Sequence, residues 1–294
     1  MQASTISTDV NTLKMSSILS NFAGGQNGRF FQIVPPYVNE KLPPGFSELP
    51  KPTFMSWISG IPFVLLFSPN TIWAVIALAL YFIFPYDLSP NTSPFSQEQL
   101  MNRFTIYMVL TFAYDGFFHI TLYFLNWAKR PFIQNRVYNV DKVIHNIFWS
   151  TSGVFIWTLF EAAFIHLWST GRLSYLSDAE AFSTPLGFVN FFASLCLIPV
   201  WRDVHFYFAH RLLHFKAMYA QVHSLHHRNT DIEPLSGLTM HCVEHLYYYS
   251  CIFPSLILYM SPFAFLWNGI HLLLSPGASH SGYEDHYQAG LYLL

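Results

Sequence analysis

The sequence predicts an all-α protein, a polytopic membrane helical bundle with a cytosolic, histidine-rich metal-binding cap. Three observations carry that prediction. Of 294 residues, 52% are hydrophobic, 19% aromatic and 10% charged, whereas soluble domains hold roughly 25% charged residues. The apolar residues are gathered into blocks long enough to span a bilayer. Eleven of the 14 histidines lie within 205–286, and eight of those within 205–245. A net charge of -2 leaves no basic stripe to neutralise phosphates, which argues against a nucleic-acid partner. Cys196, Cys242 and Cys251 sit in apolar surroundings and outline no disulfide framework.

Three regions follow in order: a flexible polar segment over 1–53, transmembrane helices over 54–201, and the histidine-box region over 202–294. The first is rich in Gly and Pro and ends in LPPGFSELPKP. Its start lacks the basic residues and apolar run of a secretory signal, so targeting rests on a later span. The apolar block 54–84 is interrupted at Ser68-Pro69-Asn70, giving either one kinked span or a re-entrant hairpin. Blocks 104–127 and 143–168 read as clearer spans. The shorter block 186–201 runs on through Arg202 into the first histidines. The last, 246–274, breaks near Ser261-Pro262 and reads as a hairpin entering and leaving on one side.

Loop charge gives the orientation. Lys129, Arg130, Arg136 and Lys142 face only Asp141 in loop 128–142, which the positive-inside rule places in the cytosol. Loop 169–185 has Arg172 beside Asp178 and Glu180 and suits the lumen. One more span returns the histidines to the cytosol. Counting back puts 85–103, with the sequon Asn91-Thr92-Ser93, in the lumen. Ionisable residues inside the blocks are costly in hydrocarbon. Asp115 and His119, four apart, are expected to form one satisfied pair, whereas Glu161 and His166, five apart, are not.

The histidines fall at helical spacings. In HRLLH, His210 and His214 share a helix face. In HSLHH, His223 pairs with His226 at three and His227 at four. Imidazole suits zinc, copper, iron and nickel. A single zinc takes three or four side chains, and this segment offers enough for two ions. Asp203 lies seven residues before His210 and is expected to hydrogen-bond a ligand imidazole. Glu244 is expected to accept such a bond as well. His205 is off the face of His210 and reads as packing. HCVEH fits the H-x-x-E-H pattern of zinc peptidases, with His241 and His245 as ligands, which leaves the other boxes unexplained.

The runs WRDVHFYFAHRLLH, HSLHH, EPLSGLTMHCVEH and HSGYEDH resemble the fatty acid hydroxylase superfamily, which includes sterol desaturases and sterol methyl oxidases. The resemblance spans about 199–288. It implies a multi-pass oxidoreductase of the endoplasmic reticulum membrane with two non-haem iron ions. Such an enzyme hydroxylates or desaturates a lipid, a sterol or a fatty acyl chain, using dioxygen and electrons from cytochrome b5 or its reductase. Carried over residue by residue, the implied ligands are His210, His214, His223, His226, His227, His241 and His280. Family members carry a further H-x-x-H-H box after the HSGY segment, where this sequence reads HYQAGLYLL with His286 alone. The expectation from that departure is an incomplete ligand shell and little activity. The alternatives are an inactive relative with a binding or regulatory role and a zinc-dependent membrane hydrolase.

Overall fold

The computed structural model describes residues 69–125, 139–230 and 232–281, all helical or loop with no strand among them. The lead-in 1–53, most of the basic loop 128–142 and His286 lie outside the described residues. Helix α1 (Pro69–Ile83) begins at the proline that interrupts block 54–84. Proline is suited to a helix start because its missing N–H would have no intrahelical partner there. Trp73, Ala77 and Leu80 bury one stripe of α1.

Helix α2 (Gln97–Phe118) is capped by Ser96, whose Oγ accepts from Gln99 N–H at 3.3 Å, and it passes directly into a π-helical turn, His119–Phe124. Its buried face is polar at every fourth position: Tyr107, Thr111, Asp115 and then His119. Block 104–127 was expected to be a clear span. The helix instead begins seven residues earlier, carries charge, and is not among the helices apolar enough to cross a membrane. Asp115 and His119 do not pair. His119 meets Glu233 at 2.7 Å, and Asp115, 1% exposed, presses an unpartnered Oδ1 toward Gly277.

Helix α3 (Val140–Ser169) and helix α5 (Pro185–Leu213) are the two described helices long and apolar enough to cross a membrane. Between them lies the short α4 (Asp178–Ser183), capped by Ser177. Thr184 caps α5 and Pro185 opens it, and the helix then passes through Pro199 and Arg202 without a break. In α3, Glu161 is fully buried and is held by Arg103 at 2.7 Å, by Tyr86 at 2.7 Å and by Tyr107. A carboxylate in an apolar bundle requires this multiple pairing, because desolvating it alone costs several kcal/mol.

Block 246–274 divides as the sequence suggested. Helix α6 (Cys242–Tyr249) runs into a 3-10 helix (Ser250–Leu256), and α7 (Pro262–Ser279) starts afresh behind the Ser261 cap. All of α7 except Phe263, Ala278 and Ser279 is buried, so it is the central helix of the bundle. Pro276 leaves the Leu272 carbonyl without its helical donor, and the Tyr248 hydroxyl donates to it at 2.9 Å.

Trp157 of α3 lies flat across α7 at Gly269, where an added Cβ would sit 2.0 Å from the indole. Gly269→Ala is therefore expected to destabilise the bundle by about 1–3 kcal/mol through overpacking. Thermal unfolding followed by circular dichroism in detergent checks this, and an unchanged midpoint would contradict the tight α3–α7 contact.

Candidate metal centre

Four imidazoles from two chain segments meet at one point. His210 lies in the last turn of α5 and His214 caps its end. The chain reverses through Lys216–Met218 and a π-helical turn, Tyr219–His223, which delivers His223 at its end. Ser224–His227 then carries His227 one turn on. A π turn adds a residue to the helical cycle and re-aims side chains, and such turns are common at functional sites.

The ligand atoms of His210, His214, His223 and His227 all lie within 4.8 Å of one another. Nε2 of His214 is 3.0 Å from Nε2 of His210, and Nε2 of His227 is 3.0 Å from Nε2 of His223. Nitrogens bound at about 2.0–2.1 Å to one tetrahedral ion are separated by a little over 3 Å, so each pair suits a shared ion. The donor set therefore fits a metal, and its all-imidazole chemistry admits iron, zinc, copper or nickel.

Electrostatics and hydrogen bonds favour the ligating form. His223 is fully buried, and its Nδ1 lies 2.7 Å from Glu244 Oε1. A carboxylate oxygen accepts, so Nδ1 carries the proton and Nε2 keeps its lone pair. Burial, and then the neighbouring His223, holds both His214 and His227 below the ordinary imidazole value. Burial likewise lifts the Glu244 carboxyl above its usual range, against the pull of His223. The lowered values of His214 and His227 favour the neutral form that ligation requires.

The remaining sequence-derived residues are placed differently. His226 stacks on His223, with ring centroids 5.6 Å apart, but is not one of the four. Its Nδ1 faces the Thr239 carbonyl at 3.2 Å and its ring lies 5.3 Å from that of His280. His241 stands apart at the start of α6, accepting from Val243 N–H at 3.2 Å beside Trp149. Asp203 was expected to hold an imidazole. Its Oδ1 instead contacts Arg202 at 3.5 Å, with 68% of the side chain exposed. The reason is reach: seven residues restore the helix face but add about 10 Å along the axis, more than a short carboxylate spans. His205 bonds Ser250 at 2.9 Å, as packing.

The H-x-x-E-H string does not assemble a metal group among the described residues. Glu244 is committed to His223, and His245 is fully buried against Gly153 and Tyr249, with burial pushing its pKa down to about 4. Sequence reasoning missed one feature entirely. Glu233, 2% exposed, joins His119 and Asn146 in a buried network. The only local signal was an acidic residue before Pro234, which reads equally well as a turn cap.

His223→Ala or His227→Ala is expected to remove most of the bound metal, while His205→Ala leaves it in place. Elemental analysis of the purified variants decides this, and equal loss in all three would show that the boxes are not the ligands.

Comparison with known proteins adds a family to this geometry. No solved structure matches the chain. Residues 195–292 match the family model described as fatty acid hydroxylase, a stretch that starts within α5 and includes every histidine of the cluster together with His226, His241 and His280. Over residues 195–292, the region in which its four-histidine centre is built, the chain is thus similar to the fatty acid hydroxylase family.

Proposed function

We propose that this protein is a membrane-bound di-iron oxygenase that hydroxylates or desaturates a lipid. The observation that carries the reading is the cluster of His210, His214, His223 and His227 inside a fatty acid hydroxylase domain. When bound, iron supplies the redox chemistry that activates dioxygen against an unreactive C–H bond, which zinc does not supply. The chain's own residues hold and orient it. Glu244 fixes the His223 ring through its Nδ1, and imidazoles from two converging segments bring their Nε2 atoms together. The domain class supports an apolar substrate, a sterol or a fatty acyl chain. Electrons from cytochrome b5 or its reductase complete the proposed reaction.

Membrane insertion is supported by α5, where Leu186, Val189, Leu197 and Phe208 are each at least 60% exposed. Such a row of apolar side chains on a helix long enough to span suits lipid rather than water. In the proposed topology the protein is multi-pass in the endoplasmic reticulum, with the histidines facing the cytosol and Asn91 the lumen.

Two measurements test this reading. Expression in cells lacking sterol desaturase and fatty acid hydroxylase activities, supplied with 18O2, is expected to yield a new hydroxylated or desaturated lipid, in the small amount expected of a ligand shell that lacks the further H-x-x-H-H box. Any new hydroxyl should carry 18O, and the product should vanish in His223→Ala. Identical lipid profiles with and without the intact centre would refute oxygenase function. For topology, Ser224→Cys in a background with Cys196, Cys242 and Cys251 replaced is expected to react with an impermeant maleimide in sealed microsomes. Protection until the vesicles are opened would reverse the orientation.

A further inference from the structure

His226 and His280 share a feature that the four clustered histidines do not: each ring is fixed by a backbone carbonyl. His226 Nδ1 faces the Thr239 carbonyl at 3.2 Å, and His280 Nδ1 faces the Pro276 carbonyl at 3.0 Å. Carbonyl oxygens only accept, so both Nδ1 atoms carry protons and both Nε2 atoms keep a lone pair.

The two carbonyls belong to segments pressed against each other. Thr239 follows the 3-10 turn Pro234–Leu238, and Pro276 lies in the last turns of α7. Gly237 of the turn is so close to α7 that an added Cβ would lie 2.4 Å from the Pro276 oxygen, the same atom that holds His280. A shift of the turn therefore disturbs both imidazoles at once.

Glu233 anchors the turn. Its Oε2 accepts from Leu235 N–H at 3.0 Å, and its own N–H donates to Ser236 Oγ at 3.1 Å, a reciprocal cap. The same carboxylate reaches outward to two helices. Oε1 accepts from Asn146 Nδ2 of α3 at 2.5 Å, and Oε2 faces His119 Nε2 of the π-helical turn at 2.7 Å. Ser150 of α3 adds a bond to the Leu235 carbonyl at 2.9 Å. A turn cap alone needs no buried partners, because an exposed serine or aspartate serves. Sinking a carboxylate to 2% exposure is costly, and it fixes the turn to α2 and α3 with a strength that a surface cap lacks.

We infer that Glu233, clamped by His119 and Asn146, is a positioning residue that presets His226 and His280, two of the ligands implied by the family resemblance that lie outside the group of four. The inference rests on the proposed metal-dependent function. It also makes the fatty acid hydroxylase domain dependent on residues outside its matched stretch, since His119 and Asn146 precede residue 195.

The test is cobalt(II) and iron stoichiometry and affinity of the full chain in detergent, with thermal stability measured in parallel. The unaltered chain is expected to bind two ions. Glu233→Gln and His119→Phe are expected to weaken one ion by at least about tenfold, the lower end of the loss seen when a ligand's hydrogen-bond partner is removed. The other ion should stay until His223→Ala removes it. His119→Gln retains an N–H donor toward Glu233 and is expected to keep both ions. Binding of two ions at unchanged affinity in Glu233→Gln and His119→Phe would overturn the inference, as would a single ion in the unaltered chain. Loss of both ions together with the fold in each variant would also overturn it, making the clamp a general support. No metal in the unaltered chain would instead sink the proposed function itself.

Discussion

An imidazole can bind a metal only through a nitrogen whose lone pair is kept available, and the histidines in the interior of this protein are held as that constraint would require. The device is a fixed acceptor for the opposite ring nitrogen: a carboxylate for His223, backbone carbonyls for His226 and His280. Each acceptor must itself be immobile. The molecule meets that need by placing Glu244 in the first turn of α6, the Pro276 carbonyl on the buried helix α7 and the Thr239 carbonyl at the end of the turn wedged against it.

The cost of these polar contacts explains much of the surrounding architecture. A bundle with so few charged residues nevertheless buries Glu161, Glu233 and Glu244 almost completely. None is left without a partner: Glu161 takes Arg103 and two tyrosines, Glu233 takes His119 and Asn146, and Glu244 takes His223. The first two lie at opposite ends of the α2–α3 contact. Paired carboxylates at both ends define how these helices register, because sliding either helix by a turn would strand a buried charge.

The histidine spacings were legible because they are local. Residues four apart on a helix share a face whatever the rest of the chain does, so His210 with His214 and His223 with His227 are readable as pairs. The continuous helix through Arg202, the break before Pro262 and the resemblance to fatty acid hydroxylases were readable for the same reason: they rest on short patterns. Where the reading went astray, it extended a local rule beyond its range. Asp203 shares a face with His210 but not its height, and Asp115 lies one turn from His119 yet loses it to a carboxylate 114 residues further on.

Composition, helical periodicity and the histidine boxes thus determined from sequence alone that the chain is helical, apolar and rich in histidines paired at helical spacing. Only the tertiary structure decided which pairs converge. It joined His210 and His214 to His223 and His227, left His241 at a helix cap and set His226 beside His280. It also recruited His119 and Asn146, whose involvement no spacing announces. The physical reason is that hydrogen bonds and metal coordination act over about 3 Å in space, and contacts between distant segments are set by how whole helices pack, which one-dimensional periodicity does not encode.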